Sequence, residues 1–148
     1  MLLKDASLLE GRAFVNGEWI NADSGETTPV TNPATGEVIA EVAKCGTAET
    51  RRAIEAAEAA LPIWRSKTAK ERAVILRDFF DLMMANQDDL ARILTAEMGK
   101  PLNEARGEIA YSASFIEWFA EEGKRVYGDT IPAPASDKRI VVVKQGIG

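Results

Sequence analysis

The sequence predicts an α+β chain, with short strands at the front, a four-helix segment in the middle and one strand at the end. Three observations carry that expectation. Asn16-Gly17 lies between apolar pairs in "FVNGEWI", the strongest short-range hairpin signal, because a type I′ turn needs positive φ at both central residues. After Gly46 the apolar residues recur at helical rather than alternating spacing. Near the end, Ile140 to Val143 form a β-branched run behind Lys138-Arg139 and ahead of glycines, the pattern of a strand entering a sheet.

Taken in order, residues 1–13 are a lead segment and Phe14 to Ile20 a β-hairpin. In "PVTNPATGEVIAEV" the turn residues Asn32, Pro33, Thr35 and Gly36 separate Val30-Thr31 from a strand at about Glu37 to Val42. Thr47 is placed to cap an alanine-rich helix to about Leu61, with Ile54, Ala57 and Leu61 on one stripe and Pro62 closing it. Thr68-Ala69-Lys70-Glu71 fits a capping box ahead of a helix bearing Leu76, Phe79, Phe80 and Met83. A third helix, about Gln87 to Met98, meets Gly99 as its C′ residue. Pro101 suits the first turn of a fourth, expected to run to about Tyr127 and stop at Gly128.

That fourth helix carries two apolar faces. Ile109, Ala113, Ile116 and Ala120 form one, and Tyr111, Phe115 and Trp118 a neighbouring one, so it needs partners on more than one side. "DTIPAPASDK" reads as an extended connector, giving a final unit of connector and strand over 129–148 behind a body over 14–128. The sheet inventory does not close. Either Ile140 to Val143 pairs with the front hairpin in a self-contained domain, or its edge is a template for association.

Composition narrows the function classes. A net charge of -5 over 148 residues leaves no basic field for a phosphate backbone, which argues against nucleic acid. No apolar run approaches a membrane span, and Lys4, Asp5 and Glu10 break up the first leucines unlike a signal peptide. A cytoplasmic protein without a disulfide framework is expected, Cys45 being the one cysteine.

Candidate chemistry is sparse. Without histidine the commonest general base is missing. Cys45 precedes a helix start, where a thiol can be activated, but with no histidine to pair with it a core or loop thiol is the better reading. The carboxylates of "EWFAEEGKR" read as a solvated helix face, with Glu121 and Arg125 a favourable i,i+4 pair. "EMGKPL" is not a phosphate loop, since Leu94 stands where the first glycine belongs and Pro101 where the magnesium-binding hydroxyl belongs. Gly146-Ile147-Gly148 after a strand supplies only two glycines of a dinucleotide fingerprint. No catalytic, cofactor-binding or metal-ligating residue is assigned on chemistry alone.

"FVNGEWINADSGETTPVTNPATGEVIAEV", with its N-G-E-W hairpin and N-P-A-T-G-E turn, resembles the amino-terminal segment of the NAD(P)-dependent aldehyde dehydrogenase superfamily. The resemblance continues through "AALPIWRSKTAKERAVILRDFFDLM", "LTAEMGKPLNEARGEI" and "SASFIEWFAEEGKRVYGDTIP", the last stretch being most similar to bacterial succinate-semialdehyde dehydrogenases. It implies an α/β fold of which this chain is the front part, truncated. It also implies that Ile140 to Val143 belong to an oligomerisation arm, making a homo-oligomer.

By the same resemblance a cysteine thiolate attacks the aldehyde, hydride passes to NAD+ or NADP+, and a glutamate-activated water frees the acid. Those residues and the cofactor lysine belong to motifs this sequence does not contain, and Cys45 does not match the nucleophile. The fragment alone is therefore expected to be inactive and to bind no cofactor. Tyr111 and Phe115 match positions that border the substrate tunnel, though an aromatic pair on a helix also suits a core. Some relatives hold a monovalent cation where Glu97 and the main chain near Val30 and Thr31 would lie; an acid in the last turn before a C-cap glycine usually faces solvent. Gly146 departs from the family, which usually has proline before the Ile-Gly pair.

Overall fold

A computed structural model describes residues 1–147; Gly148, the second glycine of the terminal Gly-Ile-Gly, lies outside the described residues. The front hairpin forms as the sequence predicts. β1 (Ala13–Val15) and β2 (Glu18–Ile20) pair antiparallel, Val15 opposite Glu18. Between them Asn16 and Gly17 take φ of 51° and 84°, the left-handed pair a type I′ turn requires. β3 (Thr27–Thr31) and β4 (Val38–Ala43) form a second antiparallel pair with a register shift at Val30/Thr31. In the turn between them the Asn32 carbonyl accepts from the Gly36 N–H at 2.8 Å, and its side-chain Oδ1 accepts from the Ala34 N–H at 2.9 Å, an Asx turn.

Of the helices, α1 (Thr47–Ser66) departs most from expectation. Gly46, not Thr47, is its N-cap, and the Glu49 carboxylate accepts from the Gly46 N–H at 3.0 Å. It also runs through Pro62 instead of ending there. A proline removes one N–H and frees the carbonyl one turn back, on Glu58. That turn is exposed, so solvent can satisfy the carbonyl and the helix persists.

α2 (Ala69–Ala85) starts with the expected capping box: Thr68 Oγ1 accepts from the Glu71 N–H at 3.2 Å, and the Glu71 carboxylate accepts from the Thr68 N–H at 2.7 Å. α3 (Gln87–Met98) ends at Gly99, whose φ of 79° is the left-handed cap expected of it.

α4 (Leu102–Glu122) stops earlier than predicted and tightens into a 3-10 turn over Gly123–Arg125. Glycine weakens α-helical propagation, and three residues per turn bring side chains at i and i+3 into line. Ion pairing follows that geometry, Lys124 with Glu121 and Arg125 with Glu122, in place of the Glu121 to Arg125 pair expected from an α-helix.

The connector holds the main surprise. Asp129–Ile131 is itself a strand, β5, and pairs antiparallel with β6 (Ile140–Val142), Ile131 opposite Ile140. The last strand thus pairs neither with the front hairpin nor with nothing. Both prolines fall after Ile131, in the loop, which leaves β5 able to donate. Gly128 permits the approach, since a Cβ there would lie 2.0 Å from the Val142 carbonyl oxygen. β6 keeps one edge without a partner among the described residues.

Packing centres on α4, which lies between α2 and α3. Its seams are lined with alanine: Ala73, Ala91, Ala96, Ala105, Ala113 and Ala120 are all buried, and no large side chain is fully so. Many large apolar residues are exposed, among them Trp118 at 64% and Val141 at 70%, while others such as Leu76, Phe80, Leu94 and Ile116 are half-buried. The accessible surface is 10795 Å², against about 7,400 Å² for a folded monomer of this size.

Candidate functional site

The aromatic face of α4 is the most distinctive surface. Ala105, Ala113 and Ala120 fall within about 80° of one another on a helical wheel, and Tyr111, Phe115 and Trp118 lie on the far side, with Phe119 flanking the alanines. Burying the alanines therefore forces the aromatics outward. Tyr111 is 65% and Phe115 48% exposed, their ring centroids 4.9 Å apart at 81°, an edge-to-face pair. The structure thus brings the two candidate tunnel residues together.

Phe115, Trp118 and Phe119 line an open groove of about 810 Å³ with Arg77, Glu117 and Glu121 at its rim. Arg77 Nη1 donates to Glu117 Oε1 at 2.6 Å while its guanidinium lies 4.8 Å from the Phe80 ring centre. The hydrogen bond from Lys124 lowers the Glu121 pKa below the ordinary carboxylate value. These are half-exposed pairs, of small energetic weight, and nothing among them is poised for proton transfer.

A second hollow, about 600 Å³, is lined by Trp64, Arg65, Arg72, Val126, Lys144 and Gly146. Its guanidinium groups are engaged with main-chain carbonyls, Arg65 with that of Gly146 and Arg72 with that of Lys67.

The remaining candidates stay apart. Cys45 is half-buried in the loop between β4 and α1, its N–H donating to the Ala43 carbonyl at 3.0 Å. Glu97 is exposed at the end of α3, and among the described residues no group of three or more His, Cys, Asp or Glu side chains is close enough to hold a metal. Lys100 is ion-paired with Glu108, and α4 is capped by Pro101, which has no N–H to offer a phosphate. Gly46 caps α1 behind β4, but the further glycines of a dinucleotide fingerprint do not follow it.

Two buried acids escaped the sequence reading. Glu49, 6% exposed, accepts from the Gly46 and Asp23 N–H groups, the latter at 2.7 Å, and the Asp23 bond above all lowers its pKa. An acid three residues after a helix cap was the available signal. Asp89, 3% exposed, accepts from the Lys4 and Asp5 N–H groups. Main-chain partners so distant leave no trace in the local sequence.

Residues 19–148 match the aldehyde dehydrogenase family. The whole chain is 68% identical to a glutarate-semialdehyde dehydrogenase of Pseudomonas putida and 62% identical to the NADP(+)-dependent succinate-semialdehyde dehydrogenase GabD of Escherichia coli. In each case all of this chain is covered and it spans 31% of the relative's length. The crystal structure of succinate-semialdehyde dehydrogenase from Burkholderia pseudomallei superposes with a TM-score of 0.96 at 66% identity, over 99% of this chain and 30% of that one.

Proposed function

This chain belongs to the aldehyde dehydrogenase family, and from that premise we propose that it is the front portion of an enzyme oxidising succinate semialdehyde, or a similar aldehyde, to the acid with NAD+ or NADP+. The observation that carries this reading is identity of 68% and 62% along the entire chain to enzymes named for two such substrates. Glutarate and succinate semialdehydes differ by one methylene, a difference a pocket resolves by only about 10- to 200-fold, so both belong in the assay.

The test is to isolate the native polypeptide carrying this sequence from its source cells and follow reduction of NAD+ and NADP+ with each semialdehyde. Absence of reduction with every pairing rejects the reading. Residues 1–148 alone are proposed to be inactive, because they offer neither a paired nucleophile nor a cofactor cradle. Purified chain that reduced either cofactor above a no-protein blank would refute that.

Tyr111 and Phe115 are proposed to line the substrate passage, supported by their edge-to-face contact on an outward face of α4. Tyr111→Ala or Phe115→Ala in the native polypeptide should raise KM for the semialdehyde more than it lowers kcat. Ile140 to Val143 are proposed to join copies in a homo-oligomer, supported by the open edge of β6 and by exposure of all four side chains. The cytoplasm is the proposed compartment; no helix among the described residues is long and apolar enough to cross a membrane, and cell fractionation tests the assignment.

A second reading, a self-associating module without activity, draws on the same edge and on the large accessible surface. Sedimentation of the purified chain across a concentration series separates the cases: a monomer throughout rejects association through β6.

A further inference from the structure

Residues 1–12 have little structure of their own beyond a 3-10 turn at Ala6–Leu8, where the Asp5 carboxylate accepts from the Ser7 N–H and hydroxyl. Their position is given by two attachments. At the front, Asp89 in the first turn of α3 accepts from the Lys4 N–H at 2.9 and 3.1 Å and from the Asp5 N–H at 2.8 Å. At the rear, the Gly11 carbonyl accepts from the Ala43 N–H at 2.7 Å, along the edge of β4 that faces away from β3. Only glycine fits there, since a Cβ would lie 2.1 Å from the Glu41 carbonyl oxygen.

We propose that residues 1–12 are a latched strap that closes the outer edge of β4, with the Asp89 carboxylate as the latch. A buried carboxylate needs hydrogen-bond donors. Arg106 Nε donates to Asp88 at 2.7 Å, and the hydrogen bonds Asp89 receives from elsewhere in the chain come from the strap's main-chain amides. Strap and latch therefore depend on each other. The latch reads backbone rather than side chains, so it tolerates change in the residues of the strap tip. Its release at Lys4-Asp5 would loosen the Gly11 contact and leave β4 with unpaired N–H and C=O groups, a template for another strand. A single acid on α3 thus controls access to a strand edge in the β region.

Amide hydrogen exchange on the 148-residue chain tests this. Asp89→Ala should raise exchange at Lys4, Asp5 and Ala43 together by roughly tenfold or more, with α4 amides at wild-type rates, as expected for a local opening. Unchanged exchange at Lys4 and Asp5 would overturn the latch, and unchanged exchange at Ala43 would overturn the closure. Should Asp89→Ala accelerate α4 as well, the shape-conserving Asp89→Asn decides: a rise confined to the same three amides supports the proposal, and no rise at Ala43 overturns it.

Discussion

The α2–α4 bundle and the β5–β6 ribbon are held by opposite means. In the bundle, small side chains line the seams and let helices approach closely, as Ala105 and Ala113, both at 0% exposure, illustrate. In the ribbon, a single ladder of three residue pairs joins two strands whose every side chain is exposed. One region derives its geometry from contacts inside the chain. The other presents apolar residues, Ile140 to Val143, for which the described residues supply no cover. Apolar area left in water marks candidate interaction surfaces, which is the ground for proposing the ribbon as the part that joins copies.

The sharpest challenge to this contrast is Ala113→Leu. If the seam is as tight as 0% exposure indicates, overpacking should cost about 1–3 kcal/mol, read as a lowered urea midpoint; an unchanged midpoint would mean that the bundle is loosely packed. Thr68→Ala removes the α2 cap and should cost about 1 kcal/mol by the same measurement.

Acid provides a graded test. The Thr68 N–H chiefly holds Glu71 below its ordinary pKa, and the Arg106 hydrogen bond does the same for Asp88. A carboxylate whose folded pKa lies below its unfolded value stabilises the fold above the unfolded value, about 4, and loses that contribution as pH falls through the folded one. Glu10, lowered to about 2 chiefly by its hydrogen bond with Arg12, keeps its contribution until the pH falls to about that value. Glu71→Gln should therefore flatten the acid-unfolding curve below about pH 4, and a curve identical to wild type rejects the capping role.

The smallest global effects belong outside the bundle. Gly128→Ala should splay β5 from β6 and unprotect the ribbon's amides, yet change stability by less than about 0.5 kcal/mol. Trp118→Ser, on the exposed face of α4, should be similarly silent for stability. A large loss in either variant would show that ribbon or aromatic face supports the bundle after all.

Local chemistry was legible in the sequence. Asn16-Gly17, Thr68 with Glu71, and Gly99 each act on their own few residues, and each does in the fold what its type predicts. The misses arose where neighbours decide. Pro62 fails to end α1 because its freed carbonyl faces solvent, and Asp129–Ile131 becomes a strand because Ile140–Val142 lies opposite. For the candidate site, the wheel positions of Tyr111 and Phe115 were readable from spacing. That the alanine face would be the buried one followed only from packing, since either face is apolar enough to serve.

The large accessible surface has a consequence for how this chain melts. The slope of stability against denaturant scales with the area exposed on unfolding. With 10795 Å² already open in the folded chain, unfolding uncovers about a fifth less surface than is usual for this size. A shallow denaturant slope follows, so the passage from native to unfolded chain spreads over a wider range of urea than a closed globule of this size would show.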